Sequence, residues 1–183
     1  IHKSVKFIAN DLLRVIKGLE PVFLYIARFG EIDRQNAREI NKTLASDAQL
    51  LVQPAGTVSK RNPVKISDLP WNKFFIRKAI QYKRDVIPVH IQARNSRLFY
   101  NIASFRKIFR IKSNLEMFLL PREMFNKSGK TITITVGKPI GYKTFDESRT
   151  HLEWAQKVRE YVYLLGSENF SSASTIPPFS EIL

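Results

Sequence analysis

Between Val5 and Val52 the chain alternates short β-forming runs with stretches of helical period, and this alternation restricts the fold more than any single motif. Val5-Lys6-Phe7-Ile8-Ala9 reads as a strand. Asn10 or Asp11 then caps a helix carrying Leu12, Leu13, Val15 and Ile16, ended by Gly18. Pro21-Val22-Phe23-Leu24-Tyr25-Ile26 is a second strand. From Gln35 to Ala45 the positions Ala37, Ile40 and Leu44 recur at helical spacing and leave Arg38, Glu39 and Lys42 for solvent. Leu50-Leu51-Val52 is a third strand, short enough to be buried. Strand and helix in turn predict an α/β architecture: a mixed, mainly parallel sheet flanked by helices.

The third strand breaks at Gln53-Pro54-Ala55-Gly56-Thr57-Val58-Ser59-Lys60-Arg61. Gly56 can take backbone angles other residues avoid and lets a ligand come close to the main chain. Thr57 and Ser59 add hydroxyls, Lys60 and Arg61 add charge. The segment reads as an anion cradle at a strand end or as an ordinary basic surface loop.

Downstream, Ser67 or Asp68 is expected to cap a helix with Pro70 in its first turn, its core face made by Trp71, Phe74, Phe75, Ala79 and Tyr82. Val86 to Ile91 follows as a strand in which Pro88 marks an edge, a bend or a bulge. In Arg94 to Lys112, Leu98, Phe99, Ile102, Phe105 and Phe109 share one helical face, and Arg97, Arg106, Lys107 and Arg110 crowd the rest. Such a helix lies on an anionic membrane, apolar face down, or packs on a sheet. Glu116 to Leu120 and Thr131 to Val136 read as strands around a Lys127-Ser128-Gly129-Lys130 turn, the second with a single apolar face. Glu153, Trp154, Val158, Tyr161, Val162 and Leu165 make a closing helix. One domain over residues 1–166 is expected, then a tail, 167–183, with no fold of its own.

Apolar residues at 44% and charged residues at 25% are those of a globular protein. With 30 Lys and Arg against 16 Asp and Glu, the formal charge is +14, which favours an anionic partner: nucleic acid, a phospholipid surface or a phosphate-bearing cofactor. The absence of cysteine removes disulfides and thiolate chemistry. No carboxylate or histidine cluster stands at metal-ligand spacing, and no Gly-Lys-Ser/Thr loop is present.

Three blocks in order, Gly30-Glu31-Ile32-Asp33-Arg34, Pro54 with Gly56-Thr57 and Ser59, and Ile87-Pro88-Val89, resemble those of the glycerolipid (lysophospholipid) acyltransferase family. Gly137-Lys138-Pro139-Ile140 resembles the Gly-x-Pro-Ile that follows its last strand. From Val5 to Tyr163 the likeness is greatest to the bacterial branch often labelled hemolysin-like. It implies a glycerol-3-phosphate acyltransferase-like fold and transfer of a fatty acyl group from acyl-CoA or acyl-acyl carrier protein to a lysolipid in membrane lipid synthesis. No cofactor is implied. A peripheral position on the cytoplasmic face of a membrane is, and so is acceptor binding by Arg34, Gly56, Thr57, Ser59, Lys60 and Arg61. Arg34 alternatively pairs with Asp33 or Glu31.

The sequence departs from that pattern in two ways. The family's base is a His in a His-x4-Asp block, yet five residues after His2, His90 and His151 stand Phe7, Asn95 and Gln156. The block precedes the strand that here is Val5 to Ala9, so it is expected upstream of Ile1, and this stretch alone is expected to be inactive. In the cradle, Ala55 replaces the usual Glu and Val58 the usual Arg. Within the implied choice of a lysophospholipid or a lyso-aminolipid, those changes argue against lysophosphatidic acid and for a lyso-aminolipid or another acceptor without a phosphate monoester. The alternative from another class is a basic nucleic-acid-binding module using Arg94 to Lys112, but it has no recognisable signature of its own.

Overall fold

The computed structural model describes residues 4–10, 17–18, 20–26, 34–62, 65–109, 118–167 and 176–182. The chain gathers into two compact units: Ile1–Gly56, Trp71–Asp85 and Gly141–Ala155 form the first, and Thr57–Pro70, Val86–Ile140 and Gln156–Leu183 the second.

The first unit holds a three-stranded parallel sheet, β1 (Val5–Asn10), β2 (Phe23–Ile26) and β3 (Gln49–Leu51), in the order β2-β1-β3. Phe7 sits opposite Phe23 on one side and Leu51 on the other. The Phe7 and Phe23 rings meet edge to face at 6.1 Å. Pro21 and Val22 belong to a 3₁₀ turn, so β2 starts two residues later than expected. The helix read over Leu12–Ile16 lies outside the described residues, as does Asp33. β3 is not the buried strand its composition implied: Leu51 is exposed, because β3 is an edge strand of this sheet.

Helix α1 (Arg34–Ala45) buries Ile40, Thr43 and Leu44 and leaves Arg38, Glu39 and Lys42 in solvent, as its period predicts. Helix α2 (Phe74–Tyr82) is joined to it through Lys78, whose Nζ donates to Asn41 Oδ1 at 2.8 Å. Beyond α2, the Arg84 guanidinium donates to the carbonyls of Ser46 at 2.7 Å and Ala48 at 2.8 Å, placing a cation on the acceptors that follow α1.

The cap expected at Ser67 or Asp68 is displaced. Asn72 Oδ1 receives the Phe74 N–H at 3.0 Å, and α2 begins there. Ser67 and Asp68 have other hydrogen-bond work in a hairpin. Trp71, Phe75 and Ala79 are buried as expected, with Ile76 fully buried among them.

Helix α5 (His151–Leu165) starts in the first unit with a capping box: Thr150 Oγ1 receives the Glu153 N–H at 3.3 Å, and Glu153 Oε2 receives the Thr150 N–H at 2.7 Å. Glu153 is therefore an exposed cap and not a core residue. Trp154 is buried, and its indole N–H donates to the Asp146 carbonyl at 3.0 Å.

In the second unit, β4 (Lys60–Arg61) and β5 (Ile66–Ser67) pair antiparallel, as do β6 (Val89–Gln92) and β7 (Thr133–Val136). Parallel pairing thus holds within the first sheet, and the other two sheets are antiparallel ribbons. Pro88 stops the strand expected from Val86: it is buried, its carbonyl receives the Gly137 N–H, and Val86 makes only an isolated bridge to Ile140.

The apolar face of β7 points the unexpected way. A Cβ on Gly137 would stand 2.8 Å from Leu165 and 2.9 Å from Pro88, so the odd-numbered side of the strand faces α5. By alternation Ile132, Ile134 and Val136 face away, and all three are exposed.

Helix α3 (Arg97–Ile108) splits its expected apolar face: Phe99 is buried, whereas Leu98, Phe105 and Phe109 are exposed. The stretch expected as a strand up to Leu120 enters helix α4 (Leu120–Phe125), whose first turn carries Pro121. At the C-terminal end the expectation of a structureless tail gives way at Phe179. That ring is buried, 5.5 Å from Tyr161, and the Tyr161 hydroxyl donates to the Pro177 carbonyl at 2.7 Å.

Candidate functional site

The expected cradle is a turn leading into a hairpin. The Gly56 N–H donates to the Gln53 carbonyl at 3.0 Å, closing a β-turn with Pro54 and Ala55 at its centre. Gly56 sits at φ +66°, in the left-handed region, with open space where a side chain would be. The positive φ expected of this glycine is present, while its N–H is already committed to the turn.

Thr57 is exposed, and β4 then presents Lys60 and Arg61, both exposed. Lys60 pairs with Ser67 and Arg61 with Ile66 along the ribbon. The Arg61 guanidinium lies 5.5 Å from the centroid of the Tyr100 ring and donates one N–H to Asn101 Oδ1 at 3.0 Å. α3 thus aims the Arg61 side chain. Ser59 is held differently: its hydroxyl donates to Asp68 Oδ1 at 2.5 Å. It secures the hairpin base and is not an idle donor.

Asp68, expected together with Ser67 as a candidate helix cap, is instead a hub. Its N–H donates to the Tyr163 hydroxyl oxygen at 2.8 Å, and its carbonyl receives Arg159 at 2.9 Å. The Arg159 guanidinium also lies over the Tyr163 ring, 4.9 Å from its centroid. Burial holds the His90 imidazole below its ordinary pKa, against the nearby Asp68 charge, which favours its protonation. His90 belongs to the packing of β6: a Cβ on Gly166, just past α5, would overlap its ring.

The structure brings Thr57, Ser59, Lys60 and Arg61 together in the second unit, while Gly56 closes the first. Arg34 opens α1 in the first unit, exposed. An open cavity of about 420 Å³ in the first unit is lined by Ile40, Phe74, Arg77, Lys78 and His151, among others, and by none of the cradle residues. Tyr100, Asn101, Arg159 and Tyr163, which hold the hairpin, carry no motif. Among the described residues no group of His, Asp and Glu is arranged to hold a metal ion, and no helix is long and apolar enough to cross a membrane.

Comparison with known proteins agrees with the family resemblance of the sequence. The family described as Acyltransferase matches residues 2–171. A lyso-glycine lipid O-acyltransferase of Bacteroides thetaiotaomicron is 44% identical over 162 residues, which cover 88% of this chain and 60% of the relative. One from Phocaeicola vulgatus is 41% identical over the same length, covering 88% of this chain and 58% of the relative. The chain therefore spans about three-fifths of the curated relatives it matches. No solved structure is a significant match. With its sequence blocks in family order and the family match running over nearly its whole length, the chain belongs to the glycerolipid and lysolipid acyltransferase family.

Proposed function

We propose that this chain is the acceptor-binding part of an O-acyltransferase that moves a fatty acyl group from an acyl thioester, acyl-CoA or acyl-acyl carrier protein, to the hydroxyl of a lyso-aminolipid. The observation that carries the reading is the 44% identity to a protein named lyso-glycine lipid O-acyltransferase across 88% of this chain. In the reaction the acceptor oxygen attacks the thioester carbonyl, a base takes its proton, and the thiol leaves. Lys60, Arg61 and Thr57 are assigned to the acceptor's polar end, with Gly56 shaping the turn. Ser59 is assigned to positioning, through Asp68.

The acceptor's charge is the finer part of the proposal. A glycine headgroup offers one carboxylate, which asks for fewer cations than a phosphate monoester does. Val58 in place of the family's Arg fits that smaller demand. The base is assigned to a His-x4-Asp block, which none of the three histidines here supplies. Exposed Leu98, Phe105 and Phe109, with the two phenylalanine rings stacked at 4.8 Å, support a peripheral position on an anionic membrane.

The test is acyl transfer by the protein carrying this chain, with a lyso-glycine lipid and with lysophosphatidic acid as competing acceptors. Preference for the glycine lipid is expected. Preference for lysophosphatidic acid would overturn the acceptor assignment, and no transfer to either would overturn the activity.

A further inference from the structure

Helix α4 is built inside out. Its one acid, Glu123, is 2% exposed, with its carboxylate receiving the Ser96 N–H at 2.5 Å and the Ser96 hydroxyl at 2.6 Å. With that side chain fixed inward, the residues beside it face solvent: Met124 is 54% exposed and Phe125 71%. Phe118, just before the helix, is also 71% exposed. The chain leaves α4 through tight turns. Ser128 donates to the Phe125 carbonyl, Lys130 to the Lys127 carbonyl, and Gly129 takes φ +71°. The projection is therefore held by local hydrogen bonds.

Cations surround it. Arg122 and Lys130 are exposed, and the Lys127 ammonium donates to the Arg94 carbonyl beside an exposed Arg94 side chain. From Val86 to Ile140 the sequence holds ten Lys and Arg and only two acids, one of them the buried Glu123. Exposed aromatic and thioether groups ringed by cations match a surface that is apolar below and anionic above.

We infer that Phe118, Met124 and Phe125 form a knob that inserts into the headgroup and acyl boundary of an anionic membrane, with Arg122, Lys127 and Lys130 against the headgroups. The choice of a membrane as partner rests on the lysolipid acyltransferase reading; the knob itself rests on burial and charge. It is separate in sequence from the exposed α3 aromatics.

The experiment uses Phe125→Trp and vesicles of phosphatidylcholine with about one-third phosphatidylglycerol, against phosphatidylcholine alone. Both native tryptophans, Trp71 and Trp154, are buried, so they give a steady background. A blue shift and quenching by brominated acyl chains are expected on the anionic vesicles, and fluorescence unchanged by vesicles would overturn the proposal. Replacing Phe118, Met124 and Phe125 together by Ser should weaken vesicle binding by at least about tenfold, with far-UV dichroism unchanged. Arg122→Gln with Lys130→Gln should weaken binding to anionic vesicles alone. Undiminished binding by the triple variant, or binding to duplex DNA and not to vesicles, also counts against the knob. Acyl transfer to detergent-dispersed acceptor by the longer protein carrying this chain and a His-x4-Asp block is measured in parallel and should be unaffected by the triple variant. Docking without acyl transfer in any form would leave the knob standing and remove the enzymatic reading.

Discussion

Ser96 and Glu123 complete a helix cap between two elements distant in sequence. The Ser96 hydroxyl receives the Phe99 N–H at 3.2 Å, as an N-cap of α3 should, and donates to Glu123 at 2.6 Å. In a local capping box the acid sits three residues after the cap and bonds the cap's own N–H. Here that position is Phe99, and Glu123 of α4 fills the role at 2.5 Å. The link ties α3 to α4 and explains how a carboxylate stays buried.

Glu123→Ala should destabilise the protein by about 1–3 kcal/mol, the cost of leaving buried polar groups unpaired. Burial by itself raises the Glu123 pKa, but the Ser96 hydroxyl and N–H, with Lys127 and Arg122 nearby, outweigh it and hold the carboxyl below its ordinary value. A depressed folded-state pKa means stability that is complete above the unfolded value, about 4.3, and lost as pH falls through the folded value. Urea unfolding from neutral pH to pH ~3 should show this decline, and Glu123→Gln should flatten it. An identical pH profile in both proteins would refute the linkage.

Gly166→Ala is expected to be poorly tolerated. The new methyl would overlap the His90 imidazole, and overpacking of this kind costs about 1–3 kcal/mol. Because the clash is specific, His90→Ala should relieve it in the double variant. Thermal unfolding of the two single variants and the double tests this: additive losses would mean that the ring and the glycine do not share the space.

At Gly56 the difficulty is conformational. Its φ of +66° sits beside open space, so an added side chain meets no neighbour but strains the backbone by about 1–2 kcal/mol. Gly56→Asn should be nearly neutral, and Gly56→Val should lower both melting temperature and turnover. Lys60→Ala should instead raise KM for the lysolipid about tenfold with stability unchanged, as expected for a lost charge-assisted contact of ~1.4 kcal/mol. An unchanged KM would remove Lys60 from the proposed site.

Residues 1–183 by themselves should transfer acyl groups more slowly, by about 10²–10⁴-fold, than a longer form containing a His-x4-Asp block. None of the three histidines here supplies that block: Phe7, Asn95 and Gln156 occupy the places an Asp would take after His2, His90 and His151. Equal rates for the two forms would mean that another group in this chain takes the acceptor's proton.

Local chemistry settled a definable share of this structure. The α1 face through Ile40 and Leu44 and the buried Trp154, Val158, Tyr161, Val162 and Leu165 of α5 follow from a 3.6-residue period. The turn at Gly56 follows from Pro54 and glycine chemistry. Each depends on residues within a few positions of one another, so local pattern and turn chemistry reveal them.

Partner choice and facing belonged to the tertiary structure. Alternation showed that Ile132, Ile134 and Val136 share a side of β7, but only the packing of Gly137 against α5 decided that this side is left uncovered. Asp68 had the chemistry of a cap and became a hub, because Ser59 and Tyr163, nine and 95 residues away, reach it first. Glu123 is buried because Ser96, 27 residues off, gives it two donors. Hydrogen-bonding capacity is written in a side chain, but its satisfaction depends on which distant groups the fold delivers within about 3 Å.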